Sequence, residues 1–182
     1  GQICNVGSDC TSGVCSSGTC SAGCAAPGDL RVQSAVANGD DPDDSEIRPL
    51  FKIINDGAAS IDLAGYELRY WFDDPNLGPW VVPCDWVGPQ SSCGDLTRSV
   101  QTQSPAGSGA NQYLSLVFSS GSLPPSGDDY TEVVVRAYIS GYPDFAEADD
   151  YSHNSSASYI DWDHVALYDD TGALVWGCPP QP

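Results

Sequence analysis

Apolar and polar residues alternate along short stretches of the chain from Leu30 onward. These stretches are rich in Val, Ile, Tyr, Trp and Phe, and clusters of Gly, Pro, Asn and Asp separate them, which is typical of strands joined by turns. No stretch shows a sustained period of 3.6 residues with helix caps. The pattern predicts strands at residues 30–36, 50–55, 66–72, 113–118, 132–139, 160–168 and 173–176. Short strands separated by turn signals indicate an all-β sandwich or barrel.

The first 24 residues differ from the rest of the chain. They contain five cysteines among Gly, Ser and Thr, with hardly any large apolar side chain, so disulfides must hold them in place of a hydrophobic core. We therefore divide the chain into a Cys-rich segment, residues 1–24, and a β-domain, residues 27–182. Within the segment we favour the pairs Cys4–Cys15 and Cys10–Cys20, although four cysteines allow three connectivities.

Odd numbers of cysteines on both sides suggest how the two parts are joined. The pairs proposed for the segment leave Cys24 over, and the β-domain contains Cys84, Cys93 and Cys178. If all eight cysteines are paired, at least one bridge joins the two parts. Cys24–Cys178 is the economical choice, because it would tie the first strand to the last and leave Cys84–Cys93 to pin a single loop.

The composition limits which kinds of molecule this chain could bind. The chain has 182 residues, enough for one packed domain and a small appendage. Its 25 Asp and Glu against 6 Lys and Arg give a net charge of -19, which repels nucleic acid and anionic membranes and favours a neutral or cationic partner. No apolar run approaches the ~20 residues of a membrane span. Eight cysteines with one lysine and no methionine indicate a secreted protein, extracellular or at the cell surface, and we expect a monomer.

Several blocks of sequence closely resemble family 3 cellulose-binding modules. They occur in the family's order and at its usual spacings, and together they cover about residues 30–177. The blocks are PLFKIINDG at 49–57, SIDL at 60–63, LRYWF at 68–72, Tyr151-Ser152, DWDHVALY at 161–168 and LVWG at 174–177. The resemblance implies a nine-stranded jelly-roll β-sandwich, here with a small disulfide-rich N-terminal appendage. It also implies one structural calcium ion and a flat strip of polar and aromatic residues that faces cellulose.

The calcium site implied by the resemblance combines two acidic loops. The first follows the Leu-Arg-Tyr strand and holds Asp73 and Asp74; the second precedes the Tyr-Ser pair and holds Asp149 and Asp150. Calcium takes six to eight oxygen ligands, including carboxylates and backbone carbonyls, so the carbonyls of Asp73 and Ala146 are further candidates. The choice between Asp73 and Asp74 stays open, because a proline follows Asp74 and the family's acid aligns with either. Either acidic pair alone would be read as a solvated turn.

The strip implied by the resemblance contains Asp85, Trp86, Arg136 and Tyr142. An ion pair between Asp85 and Arg136 would offer a planar face, and Trp86 and Tyr142 would stack with it along one glucan chain. Sugar rings expose C–H faces that pack on flat aromatic rings, while their hydroxyls need polar partners at the edges. Period-two alternation in VVVRAY, residues 133–138, independently places Arg136 on the face opposite its apolar neighbours.

The strip departs from that of the family in two ways. The loop after Asp85 is about three residues shorter and carries Cys93, where another tyrosine is usual, and Tyr142 stands where the family has a tryptophan. Both changes reduce the stacking area, which predicts a lower affinity for crystalline cellulose or a preference for a different polysaccharide. We include Trp80 in the strip as the residue that would compensate.

Other functions have less support in the sequence. A hydrolase would need a catalytic constellation, but the chain has only two histidines, His153 and His164, with no cluster around either. A helper module without direct binding would be expected to lose the strip residues. A cell-surface adhesion module remains an alternative, with weak or different polysaccharide binding. We therefore expect a non-catalytic module that binds cellulose or a related insoluble β-glucan and targets a covalently attached enzyme or scaffold.

Overall fold

The structure, a computed structural model, describes residues 15–16, 19–20, 24–25, 28–37, 41–75, 78–125, 127 and 129–181, with the backbone alone for the first two ranges. These residues form sixteen strands and one 3-10 turn, at Cys93–Asp95. The strands are β1 (Cys15–Ser16), β2 (Thr19–Cys20), β3 (Leu30–Val36), β4 (Pro49–Asn55), β5 (Ile61–Asp62), β6 (Glu67–Phe72), β7 (Trp80–Val81), β8 (Cys84–Gly88), β9 (Leu96–Gly107), β10 (Ala110–Phe118), β11 (Ser122–Leu123), β12 (Tyr130–Val135), β13 (Tyr138–Ile139), β14 (Ile160–Asp161), β15 (Val165–Tyr168) and β16 (Leu174–Gly177). No helix in this part of the chain has the length and apolarity that a membrane crossing requires.

Two five-stranded antiparallel sheets form the body of the molecule. The first, the β6 sheet, has the order β16-β15-β6-β10-β9, and the second, the β12 sheet, has the order β14-β3-β4-β12-β8. Short pairs, β1 with β2, β5 with β11 and β7 with β13, accompany them. The all-β sandwich expected from the sequence is therefore confirmed, with ten strands in the main sheets of the described part where nine were expected.

Alternate side chains of the two sheets meet in the main apolar core between them. Leu68, Tyr70 and Phe72 of β6 face Phe51 and Ile53 of β4, and all five are buried. The rings of Phe51 and Tyr70 meet edge to face across the core at a centroid distance of 6.1 Å, an arrangement that aromatic pairs favour. The opposite faces of both sheets carry polar and aromatic residues, so they are where a ligand can bind.

The two disulfides in the described part close loops of very different length. Cys24–Cys178 spans 154 positions and Cys84–Cys93 spans 9, so the pairs favoured from the sequence are the ones that form. Loop-entropy models give about 5 kcal/mol for the long loop and roughly 3 kcal/mol for the short one. The predicted bridges Cys4–Cys15 and Cys10–Cys20 lie outside the residues whose side chains are described.

The two lateral edges of the sandwich have different neighbours. At one edge β16 packs against β3, and the Cys24–Cys178 bridge lies there, where the backbone N–H of Ala25 donates to the carbonyl of Gly177. At the other edge, β8 is the edge strand of the β12 sheet, and β7 packs against β9. The Cys-rich segment is thus attached at the edge opposite β7 and β8.

Candidate functional site

Asp85 and Trp86 are neighbours in the chain, yet both are exposed. A β-bulge explains this: Val134 of β12 pairs with Trp86 and Val135 pairs with Cys84, which leaves Asp85 as the extra residue. Regular alternation would have turned Asp85 and Trp86 to opposite faces, whereas a bulge re-aims the side chains beside it. The Trp86 side chain is 54 % exposed, so the bulge presents an acid and an indole side by side on the outer face.

The Trp86 ring lies against Gly88, two residues along the same strand. A Cβ placed on Gly88 would lie 2.8 Å from Cζ2 of the ring, so only glycine leaves room for the indole in this position. The absence of a side chain at Gly88 therefore lets the ring lie against the sheet.

Arg136 directly follows β12 and bonds to Asp85 of the neighbouring strand β8. Its guanidinium donates to both carboxylate oxygens of Asp85, from Nε to Oδ2 at 2.7 Å and from the second terminal nitrogen to Oδ1 at 3.0 Å. The remaining terminal nitrogen donates to Glu46 Oε1 at 3.2 Å. Two carboxylates thus hold the guanidinium plane in one orientation, and the hydrogen bond to Asp85 raises the pKa of Arg136 further above its usual range.

Tyr142 forms the far end of this surface together with Tyr138. Their rings stack at a centroid distance of 4.8 Å with an interplanar angle of 15°, and a hydrogen bond between the two hydroxyls raises the pKa of Tyr142. Tyr142 has a φ of 52°, in the left-handed region that few non-glycine residues adopt. Its N–H donates to the carbonyl of Ile139, so a tight turn folds the 53 % exposed Tyr142 ring back over Tyr138.

Trp80 does not join this surface, which corrects the expectation from the sequence. In the pairing of β7 with β13, Val81 lies opposite Tyr138 and Trp80 opposite Ile139, which is buried. Paired residues point to the same face, so Tyr138 and Val81 face outward while Trp80 faces the core. There Trp80 stacks on Phe145 at 5.2 Å, and its indole N–H donates to a buried glutamine, Gln112. The Trp80 ring therefore packs against the core and is not part of the outer surface.

The segment that leads into Asp85 is held at several points. The guanidinium of Arg98 donates to the carbonyls of Val82, Cys93 and Leu96 at 3.0 to 3.1 Å. The Cys84–Cys93 disulfide fixes the same stretch covalently. We call Arg98 and this disulfide the clamp, because together they tie the start of β8 to the start of β9.

Glu46 and Tyr138 are members of the site that the sequence analysis missed. Tyr138 lies two residues after Arg136, so the same period-two alternation that turned Arg136 outward also indicated an outward Tyr138. Glu46 reaches Arg136 from a loop that is 90 positions away in the chain, and no local pattern could have connected them.

From here on, the strip means the set of residues that the structure brings together on this surface: Asp85, Trp86, Arg136, Tyr138 and Tyr142. From Val134, opposite Trp86, to Tyr138 it extends about 13 Å along the ribbon of paired strands.

The two acidic loops come together at the end of β6. Asp150 is buried, and its Oδ1 accepts a hydrogen bond of 2.6 Å from the N–H of Asp73. Burial raises the pKa of Asp150 to about 8, and the charged neighbours that add to the shift are Asp149, Asp73 and Asp74. Asp74 is also buried, whereas Asp73, Asp149 and Ala146 are exposed. A buried carboxylate surrounded by acids is an environment that a divalent cation would stabilise.

Asn111 brings an amide group to the same place, and no pattern in the sequence indicated it. Its Oδ1 accepts from the N–H of Asp74, and its Nδ2 donates to the carbonyl of Asp74. Across the described residues, no three His, Cys, Asp or Glu side chains are positioned to hold a metal ion together. Calcium also binds amide and backbone oxygens, so the chemistry of this donor set fits calcium.

The two histidines occupy the places expected for structural residues. His164 stacks on Tyr151 at 4.6 Å and packs at an angle against Trp162. Its Nδ1 lies 2.9 Å from the carbonyl of Tyr151, and His153 is in a loop. Neither histidine lies on the strip.

Known proteins resemble this chain over most of its length. The model of the cellulose binding domain family matches residues 31–177. Endoglucanase A of Paenibacillus lautus is 33% identical over 157 residues, which are 84% of this chain and 21% of that protein. Cellulosomal-scaffolding protein A of Acetivibrio thermocellus is 29% identical over 160 residues, 84% of this chain and 8% of that protein. The chain thus spans only a small part of these relatives.

Solved structures share the fold. The family 3b carbohydrate-binding module of the major scaffoldin subunit ScaA from Acetivibrio cellulolyticus superposes with a TM-score of 0.76 and 35% identity, covering 84% of this chain and 97% of that one. A family IIIa cellulose-binding domain from Clostridium cellulolyticum also gives a TM-score of 0.76, with 28% identity over 84% of this chain and 98% of that one. The chain therefore belongs to the cellulose binding domain family and is a non-catalytic, cellulose-binding module of family 3.

Proposed function

We propose that the strip binds the flat face of crystalline cellulose. The observation that carries the proposal is the concentration of exposed apolar residues at the edge of the sandwich that contains β7 and β8. Val81, Trp86, Tyr142 and Ile160 are the large hydrophobic side chains that are exposed in the described part of the chain, and the first three lie on or beside the strip. Clustered exposed apolar residues mark a binding surface, whereas single ones are ordinary.

The chemistry of the strip suits a neutral sugar polymer. Two aromatic ends offer flat faces to the C–H faces of the sugar rings. Between them, the paired side chains of Asp85 and Arg136 offer an acceptor and donors to the hydroxyls at the ring edges. Because the net charge of the chain is -19, anionic polysaccharides are disfavoured as ligands.

The relatives support a targeting role. They are named as endoglucanases and as scaffolding proteins of the cellulosome, and the chain matches a small part of each. We therefore propose that the module is covalently attached to an enzyme or scaffold outside the cell, or at its surface, and holds that partner at the polysaccharide.

Removing both aromatic ends tests the role of the strip. The double substitution Trp86→Ala with Tyr142→Ala should lower the affinity for microcrystalline cellulose by about tenfold or more, which corresponds to about 1.4 kcal/mol. The measurement is an adsorption isotherm with soluble glucans in parallel. Both side chains are more than half exposed, so the unfolding temperature should change little.

Ile160→Ala is the matched control, because it removes an exposed apolar side chain outside the strip. It should adsorb like the wild-type protein. A wild-type protein that stays in solution with every cellulose preparation would refute the proposal, and so would a double variant that adsorbs normally.

A structural calcium ion is the second part of the proposal. Asp150 would hold it with Asp73 or Asp74, Asp149 and the carbonyl of Ala146. When bound, the ion would neutralise the buried carboxylate of Asp150 and tie the two loops together. Its role is stability and not chemistry.

Calcium should raise the unfolding temperature, and a chelator should reverse the effect. Asp150→Asn should abolish the response, because it removes the buried charge. Asp144→Asn makes the same charge change at an exposed position of the same loop and should leave the response intact. An unfolding temperature that calcium does not change in the wild-type protein would contradict the proposal.

A further inference from the structure

We infer that the binding surface continues beyond Trp86 along β12, into a second cluster made by Lys52, Tyr130, Glu132 and Tyr159. This inference rests on the proposed function and extends it, because it assigns these four residues to the same polysaccharide. We call them the extension.

The register of the β12 sheet places the extension on the face of the strip. Along β12 and into β13, residues 130, 132, 134, 136 and 138 follow the period of two that keeps side chains on one face. Glu132 pairs with Gly88 on one side and with Lys52 on the other. Gly88 is the residue against which the Trp86 ring lies, so the extension begins where the strip ends.

The centre of the extension is the one lysine of the chain. The Lys52 ammonium lies 4.2 Å from the ring centroid of Tyr130 and 4.2 Å from that of Tyr159, so two aromatic rings hold it by cation–π attraction. Within the described residues it forms no ion pair with a carboxylate. An ammonium has three donors, and those not directed at the rings are available to a ligand's hydroxyls.

Glu132 supplies the acceptor beside this donor. Its Oε1 accepts a hydrogen bond of 2.7 Å from the hydroxyl of Tyr159, which ties the loop before β14 across the sheet to β12. A cation, a carboxylate and aromatic rings on one face are the kinds of group that the strip itself uses. The extension therefore repeats the chemistry of the strip.

The ligand that fits both clusters is one extended, neutral β-glucan chain lying along β12. From Tyr130 to Tyr138 the face measures about 26 Å, twice the length of the strip alone. A longer line of contacts favours a long, straight polymer over a short soluble fragment, because each further contact adds to the binding energy without a second cost of association.

Two substitutions test the extension, Tyr159→Ala and Lys52→Gln. The first removes a ring and the hydrogen bond to Glu132, and the second keeps the length of the side chain but removes the charge. Each should lower the affinity for crystalline cellulose by roughly three- to tenfold. Tyr159→Phe, which keeps the ring, should retain most of the affinity. Unfolding temperatures identify any variant that fails to fold.

The opposite face provides a matched control. There Arg69 lies between Tyr113 and Tyr168, with centroid distances of 4.8 Å and 4.4 Å, so Tyr168→Ala disrupts an equivalent cation–aromatic cluster on the β6 sheet. Tyr168→Ala should bind cellulose like the wild-type protein.

The outcomes separate the extension from the strip. If Tyr159→Ala and Lys52→Gln bind normally while the Trp86 and Tyr142 double variant does not, the extension is wrong and the proposed function stands. If Tyr168→Ala loses as much affinity as Tyr159→Ala, the effect is not specific to this face and the extension is also wrong. A wild-type protein that binds no cellulose would overturn both proposals.

Discussion

Tyr142 combines a strained backbone with an exposed ring. Its φ of 52° costs an L-residue roughly 1–2 kcal/mol relative to the right-handed region, and strain of this kind is concentrated at functional sites. In return the turn lays the Tyr142 ring over Tyr138. A residue chosen only for stability at this position would be glycine.

Tyr142→Gly and Tyr142→Ala should therefore differ in stability but not in binding. Both variants lose the ring and should lose affinity for cellulose equally. Glycine relieves the strain, whereas alanine keeps it, so the free energy of unfolding of the glycine variant should be higher by about 1 kcal/mol. Chemical denaturation measures this difference. At ordinary positions alanine is the more stable of the two, so an alanine variant that is more stable here would contradict the strain.

Individual residues also show what the sequence could and could not predict. The outward position of Arg136 followed from alternation alone, and its partner Asp85 was found through the resemblance to the family. Trp80 was misplaced because an aromatic residue in a short strand gives no sign of which face it occupies. The register against β13 decides that, and register depends on the whole sheet.

The same limit applies to whole elements. The apolar strands β3, β4, β6 and β15 were found within a few residues of their bounds or inside a longer predicted strand, because their inward faces are continuous in the core. The longest strand, β9 (Leu96–Gly107), was missed. It is an edge strand whose residues are mostly exposed or half-buried, so it lacks the apolar alternation by which a strand is recognised.

The loop between β7 and β8 controls the position of Asp85 and Trp86. The clamp holds this stretch directly before the bulge that exposes Asp85 and Trp86. The long-range bridge Cys24–Cys178 lies at the opposite edge of the sandwich, away from the strip. The two disulfides should therefore have separate roles, one in positioning the strip and the other in holding the fold together.

Paired serine substitutions should separate these roles. Cys84→Ser with Cys93→Ser should lower the affinity for crystalline cellulose by roughly threefold or more, because the bulge loses its covalent support, and should reduce the free energy of unfolding by at most about 3 kcal/mol. Cys24→Ser with Cys178→Ser should reduce the free energy of unfolding by up to about 5 kcal/mol and leave affinity unchanged well below the unfolding temperature. Adsorption isotherms and denaturation curves on both variants give the answer. Equal losses of affinity would contradict the division.

For the whole molecule, the dominant property is its charge. With 25 acidic residues against 6 basic ones, like charges repel one another across the folded surface. This repulsion keeps the module soluble and discourages contact with acidic polymers. A neutral, insoluble ligand is the partner for which such a surface carries no electrostatic cost.

Salt should therefore affect stability and binding differently. Raising sodium chloride from low concentration to about 0.15 M shortens the Debye length to about 8 Å, which should screen the repulsion and raise the unfolding temperature. Adsorption to cellulose should change little over the same range, since the ligand is uncharged. A steep dependence of adsorption on salt would instead indicate a charged ligand.

The Cys24–Cys178 bridge also has a mechanical consequence. The Cα atoms of its two residues are 4.0 Å apart, although 154 positions of sequence separate them. Tension between the segment before Cys24 and whatever follows Cys178 would pass through the disulfide. The strands between the two cysteines would then carry none of this force. A module anchored to a solid surface and pulled by its neighbours would thus keep its binding face folded under force.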